Sequence, residues 1–306
     1  MQRIAAVDIG TVTMRVLIAD VDECGTVSEL HRDICLTHIG KDLSRAGELS
    51  DEGMQTAFAA WERFAIAIEE YHPEKVVCVA TSAARDAQNS DEFLMGLLAR
   101  GLQVHIISGD REALLSFRGA TYQRNAHDLL VIDPGGGSTE CIFSPDGRDE
   151  SALIMRSLNI GSRRLTDMFL HEPLATIEEI TATRNFIADM FTPFFDMLPV
   201  SPCELVAMAG TATTLVTIRD AMDEYDPQLV QGQRVSAAEL DEMVKRLAGL
   251  TIEERKSIVG LEPKRADVIL AGVLIIAEIL RITGLSELTI SDYDILYGII
   301  LSADLF

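Results

Sequence analysis

The chain is short of the residues that would tie it to an oxidising compartment, a nucleic acid or a membrane. Its five cysteines (Cys24, Cys35, Cys78, Cys141, Cys203) are odd in number and contain no Cys-x-x-Cys pair. That excludes a disulfide framework and a zinc ribbon, and the cysteines read as reduced core thiols of a cytoplasmic protein. Basic residues are scarce: 26 Lys and Arg stand against 48 Asp and Glu, a formal net charge of −22. A nucleic-acid or membrane-surface protein needs a broad basic field, so neither partner is expected. Long hydrophobic runs are missing too. The stretch from Val268 to Ile276 is too short to span a bilayer, and the N-terminus has no basic, apolar and cleavage-site leader. The six histidines form no metal-binding spacing. There is no Gly-x-Ser-x-Gly elbow, Cys-x5-Arg loop or Walker lysine loop, which disfavours a covalent serine or cysteine nucleophile.

The chain does have length, apolar content and a repeat. With 306 residues, 48% of them hydrophobic and 24% charged, it can form two domains with a sizeable core. The stretch Asp133-Pro134-Gly135-Gly136-Gly137-Ser138-Thr139-Glu140 is echoed near the start by Asp8-Ile9-Gly10-Thr11-Val12-Thr13. Each copy runs apolar segment, acid, glycine turn, hydroxyl residues, apolar segment. A glycine turn after a strand exposes backbone N–H groups that can hold phosphate oxygens. Two such turns imply a duplicated fold that grips a phosphate chain between its halves.

The patterning around them predicts an α/β protein. Ile4 to Val7, Val16 to Ala19 and Val27 to Thr37 read as an antiparallel meander. A helix follows over Gly53 to Tyr71, then a buried parallel strand over Val76 to Ala80. Asp91 to Arg100 and Gly109 to Tyr122 read as helices flanking a strand over Val104 to Ile107. The second half repeats the plan, with strands over Leu129 to Ile132, Cys141 to Phe143, Ala152 to Leu158, Leu205 to Met208 and Leu288 to Ile290. Its helices are expected over Arg163 to Leu170, Ile177 to Phe191 (closed by Pro193), Ala237 to Leu247, Lys264 to Ile282 and Ile295 to Ala303. The polar stretch Gln123 to Asp128 places a boundary between lobes 1–124 and 125–306, with a cleft between them.

Gly135, Gly136 and Gly137 let backbone approach a ligand without a Cβ clash, and Ser138 and Thr139 add hydroxyls. Asp133 and Glu140 beside them would repel a bare phosphate. A divalent cation removes that conflict, so these two acids are the expected metal ligands, with Mg²⁺ the expected ion. In the first turn Asp8, Gly10, Thr11 and Thr13 fit a phosphate site, and Val12 offers its backbone N–H. Glu112 falls in the first turn of a helix capped by Ser108 or Asp110, and reads either as favourable helix-end charge or as a carboxylate aimed at the cleft. Arg85 can clamp phosphate oxygens or pair with Asp86; Arg163 and Arg164 pose the same choice. Gly210 to Thr213 suits a further ligand group or tight helix packing.

Together these pieces resemble the exopolyphosphatase and guanosine pentaphosphate phosphatase (Ppx/GppA) family, of the actin, hexokinase and heat-shock chaperone superfamily. The matching segments are Asp8-Ile9-Gly10-Thr11, Ala80 to Ala87, Ser108 to Ala113, Asp133 to Glu140, Gly161 to Thr166, Gly210 to Thr213 and Arg265 to Val268, collinear over nearly the whole chain. The resemblance implies two actin-like (ribonuclease H-like) lobes and hydrolysis of a terminal phosphoanhydride. Glu112 matches the general base acting on water. Asp133 and Glu140 match the acids at the metal, Asp8 the acid of the first turn, and Arg85 an arginine facing the phosphates. It also implies a magnesium requirement, stimulation by a monovalent cation such as potassium, and a homodimer. Inorganic polyphosphate is the expected substrate, with guanosine pentaphosphate second. Rival readings are an ATP-dependent small-molecule kinase and a polyphosphate or alarmone sensor without turnover. The chain departs from the family pattern at Val12-Thr13 (usually Asn-Ser), at Ala209 (usually Gly) and at Asp294-Ile295-Leu296-Tyr297-Gly298 (usually Gly-Leu-Arg-Glu-Gly).

Overall fold

The computed structural model describes residues 1–147 and 149–306. The chain forms two compact units: Met1–Tyr122 with Asp294–Phe306, and Gln123–Tyr293.

The first unit contains β1 (Gln2–Ile9), β2 (Thr13–Val21), β3 (Val27–Leu36), β4 (Lys75–Ala80) and β5 (His105–Ile106), in the order β3-β2-β1-β4-β5. β1, β2 and β3 are the expected antiparallel meander, and β4 and β5 add in parallel. The second contains β6 (Leu129–Pro134), β7 (Thr139–Ser144), β8 (Ile154–Leu158), β9 (Glu204–Met208), β10 (Arg234–Ser236) and β11 (Glu287–Ser291), in the order β10-β11-β9-β6-β7-β8. Read from β8, this is the first unit's order again, with β10 added at the far edge. The repeat of the two turns is therefore a repeat of whole sheets.

Each sheet carries its own core. β1 and β6 are central: β1 is buried from Ile4 to Ile9 and β6 throughout, and apart from Asp8 and Asp133 these buried stretches are apolar, as a strand covered on both faces must be. Helix Asp51–Tyr71 covers the first sheet with Met54, Ala57, Phe58, Trp61 and Phe64, at helical spacing. Helix Ile269–Thr283 is buried from Ile269 through Leu280 and is the centre of the second core. Its apolar faces are thus filled within one unit. No helix among the described residues is long and apolar enough to cross a membrane.

Several expectations are corrected. The predicted Lys264–Ile282 helix is a short 3-10 turn (Pro263–Arg265) followed by the helix from Ile269. Helix Ile177–Phe195 runs through Pro193 instead of stopping there. Proline removes one N–H, but Phe191 and Phe194 bury on the face already used by Thr183 and Ile187, and that packing carries the helix onward. Not all cysteines are core thiols: Cys24 and Cys203 are exposed.

The C-terminal segment is the largest difference. The boundary read from the sequence places it in the second lobe, yet Asp294–Phe306 belongs to the first unit. The cause is a glycine-mediated crossing of helix Ile295–Leu301 and helix Gly109–Ala120. A Cβ on Gly119 would overlap the Asp294 carbonyl, and one on Gly298 would overlap the Leu115 carbonyl. Gly298→Ala should therefore lower unfolding stability by about 1–3 kcal/mol, the usual range for overpacking. Thermal or urea unfolding checks it.

Candidate active site

Ligands of α/β sheets bind at the carboxyl ends of parallel strands, and the predicted residues gather there in each unit. In the first unit, Thr81 N donates to Ile9 O at 3.1 Å and Ile107 N to Ala80 O at 3.1 Å. These bonds draw together the Gly10 turn, the Thr81–Arg85 segment and the Ser108–Glu112 helix start. Ser108 is the cap, its hydroxyl accepting from Arg111 N at 3.2 Å, which places Glu112 in the first turn. Glu112 is buried, and its Oε2 receives Arg85 Nη1 at 2.7 Å. The same Nη1 donates to Ile107 O at 2.9 Å. Two residues read separately in the sequence are thus one ion pair.

Asp8 is buried at the end of β1 and faces Arg15 across the β1–β2 ladder. Arg15 Nη2 lies 2.6 Å from Asp8 Oδ2, and Arg15 also pairs with Asp294. Burial pushes the Asp8 carboxyl up from its ordinary range, while Arg15 pulls it down. The sequence pattern gives no site role to Arg15, and marks Asp294 only as part of a departure from the family pattern. A signal for Arg15 was present: it stands as far after Asp8 as Glu140 does after Asp133.

The Gly10 turn closes with Gly10 N donating to Thr13 O at 2.8 Å. Gly40 N donates to Thr11 O at 3.0 Å, and Thr37 N and His38 N to Val12 O at 2.9 and 3.0 Å. A trans peptide sets C=O and the next N–H in opposite directions, so the Val12 and Thr13 N–H groups face away from the 37–40 segment. The Val12 side chain is buried, and Thr11 packs so tightly that a Cβ on Gly40 would overlap its Cγ2.

The second turn is held in the same manner but more fully. Gly135 N donates to Ser138 O at 3.0 Å. Ser162 N donates to Gly135 O at 2.9 Å, and Arg163 N and Arg164 N to Gly136 O at 2.9 and 3.1 Å. Arg164 Nε donates to Gly137 O at 2.9 Å. With three successive carbonyls drawn to one side, the N–H groups of Gly136, Gly137 and Ser138 point to the other. None of these three has a protein partner among the described residues. Gly161 fits directly against the turn: a Cβ there would overlap Gly136 C and O and Gly137 N.

Asp133 and Glu140 are direct cross-strand partners, and both are buried. Like charges placed so are unfavourable unless a cation or hydrogen bonds intervene. Ser157 Oγ donates to Glu140 Oε1 at 2.7 Å. The Thr139 hydroxyl, expected to face a ligand, donates to Ile160 O at 2.6 Å inside the core. Arg163 is buried and pairs with Asp267, and with Asp167 at 3.2 Å. The arginines near the turns are therefore matched with carboxylates or carbonyls of their own unit, so a strongly positive pocket does not arise from them. Burial pushes the Cys78 and Cys141 thiols well up, the neighbouring acids Asp8 and Glu140 adding to it, so neither is a thiolate nucleophile.

The third turn, at the start of helix Ala209–Arg219, packs under Arg265, whose guanidinium a Gly210 Cβ would overlap. Ala209 sits at φ 64°, a left-handed conformation that favours glycine. Ala209→Gly should raise stability by about 0.5–1 kcal/mol, the relief of strain exceeding glycine's extra unfolded-state entropy. A rise in the thermal midpoint is the check.

Duplicated β-sheet units with glycine turns and acids at the strand ends suit a protein that handles phosphate groups. The chain belongs to the Ppx/GppA phosphatase family, whose model matches residues 17–305. Membership makes it a hydrolase of phosphoanhydride bonds. It is 34% identical to exopolyphosphatase 2 of Mycobacterium tuberculosis, over 98% of each chain. Among solved structures, it resembles an exopolyphosphatase from Cytophaga hutchinsonii with a TM-score of 0.90 at 25% identity, covering 99% of this chain and 97% of that one. It resembles the Aquifex aeolicus Ppx/GppA family member with a TM-score of 0.81 at 28% identity, covering 99% and 98%.

Proposed function

We propose that the chain is a divalent-metal-dependent exopolyphosphatase that releases orthophosphate from the ends of inorganic polyphosphate, short chains included. The second turn carries this reading: three outward N–H groups in a row beside two buried carboxylates. Successive N–H groups suit phosphoryl oxygens. The carboxylates beside them suit a cation, and Asp133 and Glu140 are the residues that would hold it. No cluster of three His, Cys, Asp or Glu that could hold a metal occurs among the described residues. A magnesium ion needs only one or two carboxylates, filling its shell with water and substrate oxygens, so the donor set fits. When bound, such an ion neutralises charge on the phosphoryl oxygens. Stimulation by potassium, a homodimer and a cytoplasmic location belong to the same reading.

The chain's own residues then divide the work. The Gly136, Gly137 and Ser138 N–H groups bind and orient phosphoryl oxygens, with Gly10, Thr11, Val12 and Thr13 doing the same in the first unit. Arg85 adds a guanidinium for a non-bridging oxygen. Glu112 accepts the proton of the attacking water. Positioning and charge stabilisation supply most of the acceleration, as in phosphoryl transfer generally. Polyphosphate is preferred to guanosine pentaphosphate because none of the residues at the turns offers a guanine-specific donor and acceptor set. The name of the Mycobacterium tuberculosis relative supports that choice.

The test is orthophosphate release from polyphosphates of several lengths beside guanosine pentaphosphate, with magnesium and with chelator. The expected result is magnesium-dependent release from polyphosphate, faster than from the nucleotide. Transfer from ATP to a small acceptor, or tight binding of polyphosphate with no release, would contradict it.

A further inference from the structure

The first turn carries a charge arrangement that the second lacks. Where Glu140 faces Asp133 on the β6–β7 ladder, Arg15 faces Asp8 on β1–β2. The Arg15 guanidinium spans two carboxylates. Its Nε and Nη2 donate to Asp8 Oδ2 at 3.1 and 2.6 Å, and its Nη1 donates to Asp294 Oδ2. The other Asp294 oxygen accepts from Leu296 N at 2.9 Å and caps the C-terminal helix. The side chains of Arg15, Asp8 and Asp294 are 14%, 5% and 7% exposed. Two carboxylates thus share one guanidinium at the end of β1, where the chain enters the Gly10–Thr13 turn.

We propose that Asp294 is a specificity-determining residue that acts through Arg15. By binding Nη1 it withholds the guanidinium from phosphoryl groups at the first turn and keeps the affinity for free orthophosphate low. The chain end is then held by backbone donors and the cation site, and the orthophosphate product leaves readily. This rests on the reading of Gly10–Thr13 as a phosphate turn. Removing one unit charge from a partly buried site beside an anion changes affinity by about five- to tenfold.

The decisive variant is Asp294→Asn, which keeps the helix cap and side-chain shape but removes the charge. Orthophosphate should inhibit it about five- to tenfold more strongly than the parent. KM for tripolyphosphate should fall with it, by more than kcat changes. Asp294→Glu should restore the parent's inhibition constant. Adding Arg15→Gln to Asp294→Asn should abolish the gain, because no guanidinium remains to be released. Unchanged or weaker inhibition in a normally folding Asp294→Asn overturns the proposal, as does a gain that persists without Arg15. Calorimetric titration with inorganic phosphate reads the same affinities without turnover. If that titration shows the gain while no polyphosphate is hydrolysed, the assigned reaction fails and the role of Asp294 stands. If hydrolysis proceeds and the titration shows no gain, the reverse holds.

Discussion

Glu112→Gln is expected to lower polyphosphate turnover by about two to four orders of magnitude, the usual loss when a general base is removed. Glutamine has nearly the same shape and remains in the turn capped by Ser108, so the backbone stays where it is. It cannot accept a proton from water. It also gives up the charge that holds Arg85 Nη1 at 2.7 Å. The guanidinium is then available to phosphoryl oxygens, so substrate binding should be equal to the parent's or tighter. The pairing of lost kcat with retained KM separates this role from a structural one, because a collapsed site would lose both. Stopped-time phosphate assays with equilibrium binding measure the two sides. Turnover within about tenfold of the parent would remove Glu112 from the chemistry.

Gly161→Ala should cost nearly as much by a different route. Gly161 contributes no side chain, yet its added Cβ would fall on the Gly136 and Gly137 backbone. Backbone cannot move aside as a flexible side chain does. Either the glycine turn shifts, or Ser162, Arg163 and Arg164 lose the carbonyls they hold. Both outcomes misdirect the three outward N–H groups. One misplaced backbone donor typically costs about 10²–10³ in rate, and overpacking adds about 1–3 kcal/mol of lost stability. Activity should therefore fall at least about a hundredfold, with KM rising too, as the proposed use of these donors in both binding and chemistry requires. Gly135→Ala is a useful contrast: its Cβ would meet only Ser138 O, at 3.1 Å, so its effect should be smaller.

Much of the site was legible in the sequence because its parts are local. Acid, glycine turn and second strand follow one another in the chain, so Asp8–Thr13 and Asp133–Glu140 announce both hairpins. The alternation of apolar strands with helical periods points to the α/β class, and the repeat of the turns points to a duplicated plan, which the two sheet orders share. The rest depends on contacts between distant segments. Nothing in the local pattern links Gly161–Arg164 to the carbonyls of Gly135–Gly137, Arg85 to Glu112, or the Thr139 hydroxyl to Ile160. The return of Asp294–Phe306 to the first unit was equally hidden, because it is fixed by two glycines whose meaning is the backbone that crosses them. Pro193 misled for the opposite reason: a local rule was outweighed by burial of Phe191 and Phe194.

The backbone donors themselves can be watched. In ¹⁵N-labelled Glu112→Gln, which is expected to bind substrate without consuming it, tripolyphosphate with magnesium should shift the amide resonances of Gly136, Gly137 and Ser138 downfield together, saturating at one affinity. Resonances of these three that stay fixed while the chain binds tripolyphosphate would show that the phosphate is held elsewhere.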